Sequence, residues 1–280
     1  MISNLVVSLG NYTNSELNVD LLRHMVLNSI RHNNQKFKSV YGELVICCDG
    51  SSCWRRDVFP LYKANRKKTR DESELDWKLI FNALHQIRDE INQHFSYRVI
   101  YNDKCEADDV IATLCNEFEA DDFLSQGPAE KILILSADKD FIQLQRWNNV
   151  KQYDPIRKKY VEYPKPLKYL KEHIIRGDAG DGIPNILTKD DCFVLGERQK
   201  RLSTKKLEGW LISEPQDFCN DSMMRNYKRN EQLIDLTYTP AQYKNEIIET
   251  FNKQAGKEQK LFEYFIAHKL KNLTEAIQDF

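Results

Sequence analysis

The chain has 280 residues, with 41 Lys and Arg against 42 Asp and Glu and a net charge of -1, long enough for one large α/β domain or a main domain with a smaller appendage. Balanced charge excludes holding a polyanion by overall charge, so a nucleic-acid partner has to meet a local basic patch. No apolar run approaches the roughly 18 residues of a membrane span, the N-terminus lacks a signal-peptide pattern, and the seven cysteines show no C-x-x-C spacing, so a soluble protein of a reducing cytoplasm is expected, without a disulfide framework or zinc knuckle.

Apolar residues at helical spacing predict a helix over 21–30, then a strand over 43–48 that closes on Asp49-Gly50. Between 53 and 70 the chain turns basic and aromatic, with Trp54, Arg55, Arg56, Tyr62, Lys63, Arg66, Lys67, Lys68 and Arg70. Such a stretch is either a solvated face or a contact for nucleic-acid backbone and bases. Next in order are an amphipathic helix over 76–94, a strand over 98–101, a helix over 108–118 and a buried strand over 131–135. Alternating α and β predicts a mainly parallel sheet with helices on both faces, its functional edge at the strand C-termini. After Tyr163 strand signals fade; 166–176 reads as a helix stopped by Gly177, and the remainder is helical and polar, with Gly209, Pro215 and Pro240 marking breaks and a basic segment at 198–206.

Seven carboxylates recur in three clusters: Glu106-Ala107-Asp108-Asp109, Ser136-Ala137-Asp138-Lys139-Asp140 and Gly177-Asp178-Ala179-Gly180-Asp181-Gly182. Like charges gathered this way call for a cation, and magnesium takes oxygen ligands of this kind. Each cluster also has a plainer reading: Asp138 and Asp140 as a solvated strand-end turn, Glu106 and Asp109 as acids at a helix N-terminus, and the third cluster as a C-cap and turn. An Asp-x-Asp after a strand also occurs in haloacid-dehalogenase phosphatases. There it lies near the chain start and continues Gly-Thr, whereas Asp140 is succeeded by Phe141-Ile142 in mid-chain.

In order, Asp49, Tyr62-Lys63-Ala64-Asn65-Arg66, the three acidic clusters and the continuation Ile183-Pro184-Asn185 resemble the 5'-nuclease, or flap endonuclease, superfamily. Within it the chain is similar to the RNase H branch of T-even bacteriophages, where Cys53-Trp54-Arg55-Arg56-Asp57, Val150-Lys151-Gln152 and Leu261-Phe262-Glu263-Tyr264-Phe265 also find counterparts, so that the likeness covers nearly the whole chain. The resemblance implies a PIN-like α/β core over 1–163, with a basic arch at about 53–76, and a helical DNA-binding region over 164–280 in which 164–185 looks like a helix-three-turn-helix. It implies a 5'-3' exonuclease and flap endonuclease that removes RNA primers during phage DNA replication, with two magnesium sites at which Mn2+ can substitute.

By match to the family's motifs, Asp49, Glu106, Asp109 and Asp138 would serve the first metal and Asp140, Asp178 and Asp181 the second, with Asp108 at a further acidic position. Lys63 and Arg66 would steer the scissile phosphate, which makes Asp49, Lys63, Arg66, Glu106, Asp109, Asp138 and Asp140 the catalytic set. Nucleic-acid contacts are expected from Arg55, Arg56, Tyr62, Lys63, Arg66, Lys67, Lys68 and Arg70 and from Gly177, Gly180 and Gly182. The implied partners are branched, nicked or flap DNA, RNA-DNA hybrid and a single-stranded-DNA-binding protein at the C-terminal region, for a monomer in the cytoplasm of an infected bacterial host.

Two departures stand out. The family opens on an apolar strand ending in a metal-ligand Asp; here Ile2-Ser3-Asn4-Leu5 matches the residues directly after that Asp, and Met1 stands in its place. The first strand and one ligand are therefore expected to be absent, which makes a catalytically impaired binder of DNA structures the alternative function. The second departure is 186–205, which lacks the glycine-rich second half of the family's hairpin, so the duplex grip is expected to be built differently. A phosphatase of small molecules, resting on Asp138 and Asp140 alone, ranks third.

Overall fold

The computed structural model describes residues 17–66, 75–119 and 130–280. Residues 1–5, with Met1, and the basic residues Lys67, Lys68 and Arg70 lie outside these. In chain order the helices and strands are α1 (Val19–Tyr41), β1 (Val45–Cys47), α2 (Arg55–Val58), α3 (Trp77–His94), β2 (Arg98–Ile100), α4 (Ala107–Glu117) and β3 (Ile132–Leu135). A 3-10 helix (Lys139–Arg146) leads to β4 (Val150–Asp154), β5 (Lys159–Val161) and α5 (Pro166–Arg176). Then come α6 (Thr204–Ile212), α7 (Pro215–Phe218), α8 (Asp221–Ile234), α9 (Ala241–Lys253), α10 (Leu261–Ala267) and α11 (Lys271–Glu275). None of the described helices is long and apolar enough to cross a membrane.

The described residues pack as two compact units, each discontinuous in sequence: those within 1–48, 73–101 and 246–280, and those within 49–72 and 102–245. These lines differ from a division at 163/164. In the first unit β1 and β2 pair in parallel, Val45 opposite Arg98 and Cys47 opposite Ile100. Helix α1 begins where the Asn18 side chain accepts the Leu21 N–H at 2.9 Å, and it stops at Gly42, whose φ of 74° a side chain would resist. Its apolar stripe of Leu22, Val26, Leu27 and Ile30 joins Ile80, Ile87 and Ile91 of α3 in one core. Each such side chain contributes about 1.5–3 kcal/mol by leaving water. Aromatic packing of Phe95 against Tyr264 and Phe280, with ring centroids at 5.5 and 5.7 Å, ties the C-terminal residues into that core.

In the second unit β3 pairs with β4 in parallel and β4 with β5 antiparallel. The sheet is covered by Ala112 and Cys115 of α4 and by Phe141 and Leu144 of the 3-10 helix, which pack on Ile134 and Val150. A second core gathers Phe59, Tyr62, Leu170, Ile174, Ile183, Leu207 and Leu233. Strand β3 ends at Leu135, so Asp138 and Asp140 stand just beyond the C-terminal end of a parallel strand, where α/β proteins bind ligands.

The α/β class expected from the sequence is observed. Among the described residues the strands form two small sheets, a parallel pair and a three-stranded sheet with one antiparallel edge. Residues 164–185 hold only α5 and a turn; the next helix begins at Thr204. The intervening segment is fixed by side chains: Asn185 donates to the Lys200 carbonyl at 2.9 Å, and the Lys200 N–H donates to the Thr188 hydroxyl at 2.9 Å.

Candidate active site

All the candidate site residues that the structure describes lie in the second unit. Helix α4 starts in a concentration of acids, which its dipole favours. Asp49 is exposed, and its Oδ1 accepts the Ala107 N–H at 2.8 Å. Asp109 reaches back to accept the Glu106 N–H at 3.0 Å through Oδ2, which also takes Arg55 Nη1 at 2.8 Å. Its Oδ1 accepts Arg55 Nη2 at 2.8 Å and the Thr239 hydroxyl at 2.7 Å. An ionised carboxylate has about four acceptor positions. Those of Asp109 are all used inside the protein, and its side chain is fully buried.

This corrects two expectations. Asp109, expected as a metal ligand, is the counter-ion of Arg55. Arg55, expected against nucleic acid, is only 2% exposed, and its Nε donates to the Leu233 carbonyl at 2.8 Å. Its neighbour Arg56 is exposed.

One residue earlier on the helix, Asp108 is oriented otherwise. Burial and then the negative charges of Asp138, Asp140 and Glu106 push its carboxyl well above the ordinary range, against the opposing pull of Lys63. Carboxylates from the α4 start and the β3 end thus meet one another, and their mutual repulsion is what a cation relieves.

The β3 loop is held by Gln152 of β4, itself buried, which donates Nε2 to the carbonyls of Ser136 at 2.9 Å and Asp138 at 2.5 Å. Asp138 in turn accepts the Asp140 N–H at 3.0 Å and so starts the 3-10 helix. Burial, and then the charges of Asp138, Asp178 and Asp181, outweigh the nearby His173 and push Asp140 up to about 7. His173, in the last turn of α5, stands between two of the acids: Nδ1 is 3.5 Å from Asp140 and Nε2 is 3.6 Å from Asp178. Although burial opposes it, these acids raise the His173 pKa, while His173 and the Gly180 and Asp181 N–H groups hold Asp178 below its usual value.

The third acidic cluster is split. Asp178 Oδ1 accepts the N–H groups of Gly180 and Asp181 at 2.8 and 3.2 Å, and Asp178 joins Asp140 and His173. Asp181 instead meets the Tyr62 to Arg66 turn: it accepts the Tyr62 hydroxyl at 3.0 Å, pairs with Lys63 at 3.5 Å and bonds Arg66. Lys63 also bonds Glu106, which accepts the Tyr62 hydroxyl at 2.7 Å. Burial alone would raise the Glu106 carboxyl, but Lys63 and Arg55 hold it below its ordinary value.

Tyr62, expected as a nucleic-acid contact, is 3% exposed, and its hydroxyl lies between two carboxylates and donates its one proton to either, which corrects that expectation. The Arg66 side chain, paired with Asp181, is half exposed. Two of the three glycines serve the loop itself. A Cβ on Gly177, at φ 66°, would lie 2.3 Å from the Ile183 carbonyl oxygen, and Gly182, buried at φ 73°, sits against the Leu61 carbonyl. Gly180 is exposed.

The sequence assigns no role to His173, Gln152 or Thr239; Gln152 lies in the Val150-Lys151-Gln152 match to the family, and His173 stands one turn before the Gly177-Asp178 cluster on a helix that the apolar pattern places.

Two family models match the chain: the 5'-3' exonuclease N-terminal resolvase-like domain over residues 9–173, and the T4 RNase H C-terminal region over 168–280. The ribonuclease H of Enterobacteria phage T4 is 34% identical over 288 residues, which take in 99% of this chain and 92% of that protein. A 5'-3' exonuclease of Buchnera aphidicola subsp. Acyrthosiphon pisum is 29% identical over 161 residues, 54% of this chain and 50% of that one. Among solved structures, the T5 D15 protein co-crystallised with metal ions shares the fold at a TM-score of 0.57 and 14% identity, over 87% of this chain and 97% of that one. A bacteriophage T5 flap endonuclease in complex with DNA and metal ions gives 0.55 at 15% identity, over 82% and 91%. With a domain model spanning residues 9–173 and a relative aligned over almost its whole length, the chain belongs to the 5'-3' exonuclease family of nucleases, with a C-terminal region of the T4 RNase H type.

Proposed function

We propose that the chain is a magnesium-dependent 5'-nuclease that hydrolyses phosphodiesters at the 5' ends of flap DNA and of RNA-DNA hybrids, and that it removes RNA primers during phage DNA replication. The observation that carries this reading is that acids from separate segments converge: donor atoms of Asp140, His173 and Asp178 lie within 4.8 Å of one another, Asp138 caps the turn that carries Asp140, and the charges of Asp138 and Asp140 act on Asp108. The acids fit magnesium, since they offer carboxylate oxygens. Asp49, Glu106, Asp108 and Asp138 would hold one ion, and Asp140, Asp178 and Asp181 a second. Bound magnesium supplies Lewis-acid polarisation of the phosphate and lowers the pKa of a coordinated water.

The chain's own residues do the rest. Gln152 and the Asp138 cap fix the loop that presents two of the acids. Arg66, half exposed beside Asp181, grips the phosphate backbone, with Arg56, Lys67, Lys68 and Arg70 adding charge along the same basic segment. Lys63 shields Glu106 and Asp181 from each other and releases one of them to reach a phosphate. The likeness to the ribonuclease H of phage T4 supports the phage setting, and the proposal includes a monomer in the host cytoplasm with a single-stranded-DNA-binding protein as a partner of the C-terminal region.

The test is to incubate the 280-residue chain with 5'-labelled flap DNA and with an RNA-primed duplex, with and without magnesium, beside Asp138→Asn. Short 5' products that need magnesium and vanish in the variant are expected. Full cleavage by Asp138→Asn overturns the assignment, and flap binding without any cleavage by the parent chain replaces it with a DNA-structure binder.

A further inference from the structure

The second acidic site differs from an all-carboxylate magnesium site in one respect: it contains an imidazole. One donor atom each from Asp140, His173 and Asp178 lies within 4.8 Å of the others. Ligand atoms with bonds near 2 Å lie about 3 Å apart when adjacent on one ion and about 4.2 Å apart when opposite, so the three side chains have to draw together to close on it. The histidine meets the two acids through different ring nitrogens, Nδ1 toward Asp140 and Nε2 toward Asp178, so one nitrogen serves the ion and the other carboxylate turns to it. Asp178 uses Oδ1 on two backbone N–H groups, which leaves Oδ2 for that turn. The His173 ring packs edge-on to Tyr169, with centroids 6.0 Å apart, and Tyr169 packs edge-on to Tyr163 at 5.1 Å, which fixes the ring on its helix. All three side chains are partly exposed, between 16% and 27%, so an ion can reach them.

Magnesium gains little from nitrogen, whereas first-row transition ions bind imidazole increasingly well along their series. We infer that His173, Asp140 and Asp178 form a mixed nitrogen-oxygen site, with His173 a direct ligand, that takes a divalent transition-metal ion in preference to Mg2+. This deepens the metal-dependent reading of the same site and rests on it. The competing arrangement is a histidine that only bridges two carboxylates and is pushed aside, or left untouched, when an ion binds.

The sequence makes the test clean. Of the six histidines, His24, His32, His85, His94 and His268 belong to the first unit, and His173 alone to the second. The probe is Mn2+ added to the full chain in excess Mg2+, with pulsed electron paramagnetic resonance reading the nitrogen-14 coupling of a ligated imidazole. The expected result is a coupling in the parent chain that disappears in His173→Gln, together with Mn2+ affinity at that site weakened by at least about tenfold and an unchanged Mg2+ affinity at the other carboxylates. Asp178→Asn, which keeps the side-chain volume and the acceptor for the Gly180 N–H, should lose the same coupling and serves if the first variant does not fold.

Mn2+ bound without nitrogen coupling, or a coupling that survives His173→Gln, overturns the inference. If magnesium-dependent cleavage persists in that case, the nuclease reading stands and only the ligand assignment falls. If neither Mn2+ binding nor cleavage is seen, both fall.

Discussion

Two acidic regions of the second unit, built from neighbouring residues, have opposite electrostatic fates. Asp109 is fully buried, with Arg55 bidentate on it and Thr239 and a backbone N–H on its remaining positions. Asp108, one residue away, together with Asp138 and Asp140, has other carboxylates for neighbours. An internal counter-ion makes a carboxylate a structural strut, while carboxylates whose charges are left opposed by one another are the ones available to an external cation. Glu106 and Asp181 fall between, sharing Tyr62 and Lys63.

The sharpest way to break this comparison is to remove the strut. Arg55→Met leaves Asp109 a buried charge without its partner, and breaking such a pair costs about 3–5 kcal/mol. Urea unfolding should show a loss of that size with or without metal, and a loss under about 1 kcal/mol would place Asp109 among the accessible acids after all. On the other side, Asp138→Asn should leave unfolding within about 0.5 kcal/mol of the parent, as exposed substitutions do, while cleavage falls by roughly 10²–10³, the size of losing one stabiliser of developing charge. A large stability loss together with the activity loss would erase the distinction.

The sequence showed which segments carry acids but not which acid of a pair faces where. Asp108 and Asp109 are adjacent and so point about 100° apart on α4. Choosing between them requires the position of Arg55, 54 residues earlier in the chain. Helix boundaries set by local chemistry were legible: α5 runs from Pro166 to Arg176, as its proline start and Gly177 stop imply, and α3 begins at its Asp76 cap. Strand β4 has no strand signal in the sequence, because its buried positions include Gln152 and Asp154 and burial of polar residues runs against an apolar pattern. Gln152 is buried for a reason no local pattern contains, namely two carbonyls of a loop 14 to 16 residues away.

That bond set gives a smaller prediction. Gln152→Leu keeps bulk but leaves the Ser136 and Asp138 carbonyls without their donor, at a cost of about 1–3 kcal/mol. Because the loop they belong to presents Asp138 and Asp140, cleavage should fall by more than stability explains. Thermal unfolding alongside initial rates, both with saturating magnesium, separates the two effects. An activity loss no larger than the unfolded fraction would reduce Gln152 to a packing residue.

The smallest effect is the pH dependence of the cation-free protein. Asp140 titrates near 7 when folded, against 3.8 ordinarily. Between about pH 4 and 7 the folded chain therefore holds a proton that the unfolded chain has released, and stability falls as pH rises through that window. The raised pKa of His173 acts in the same direction, since its protonated form favours folding and is lost above 6.5. The lowered pKa of Asp178 acts only in acid, where stability is lost as pH drops below 3.8. In chelator the unfolding temperature at pH 5 should thus exceed that at pH 8, and Asp140→Asn should shrink the difference. A divalent ion at saturation should reverse the trend, because it binds the deprotonated site and competes with the proton for it. The Arg55→Met variant provides the contrast that gives this measurement its meaning: its destabilisation should persist at both pH values and with or without the ion, because Asp109 exchanges its charge with Arg55 and not with solvent cations.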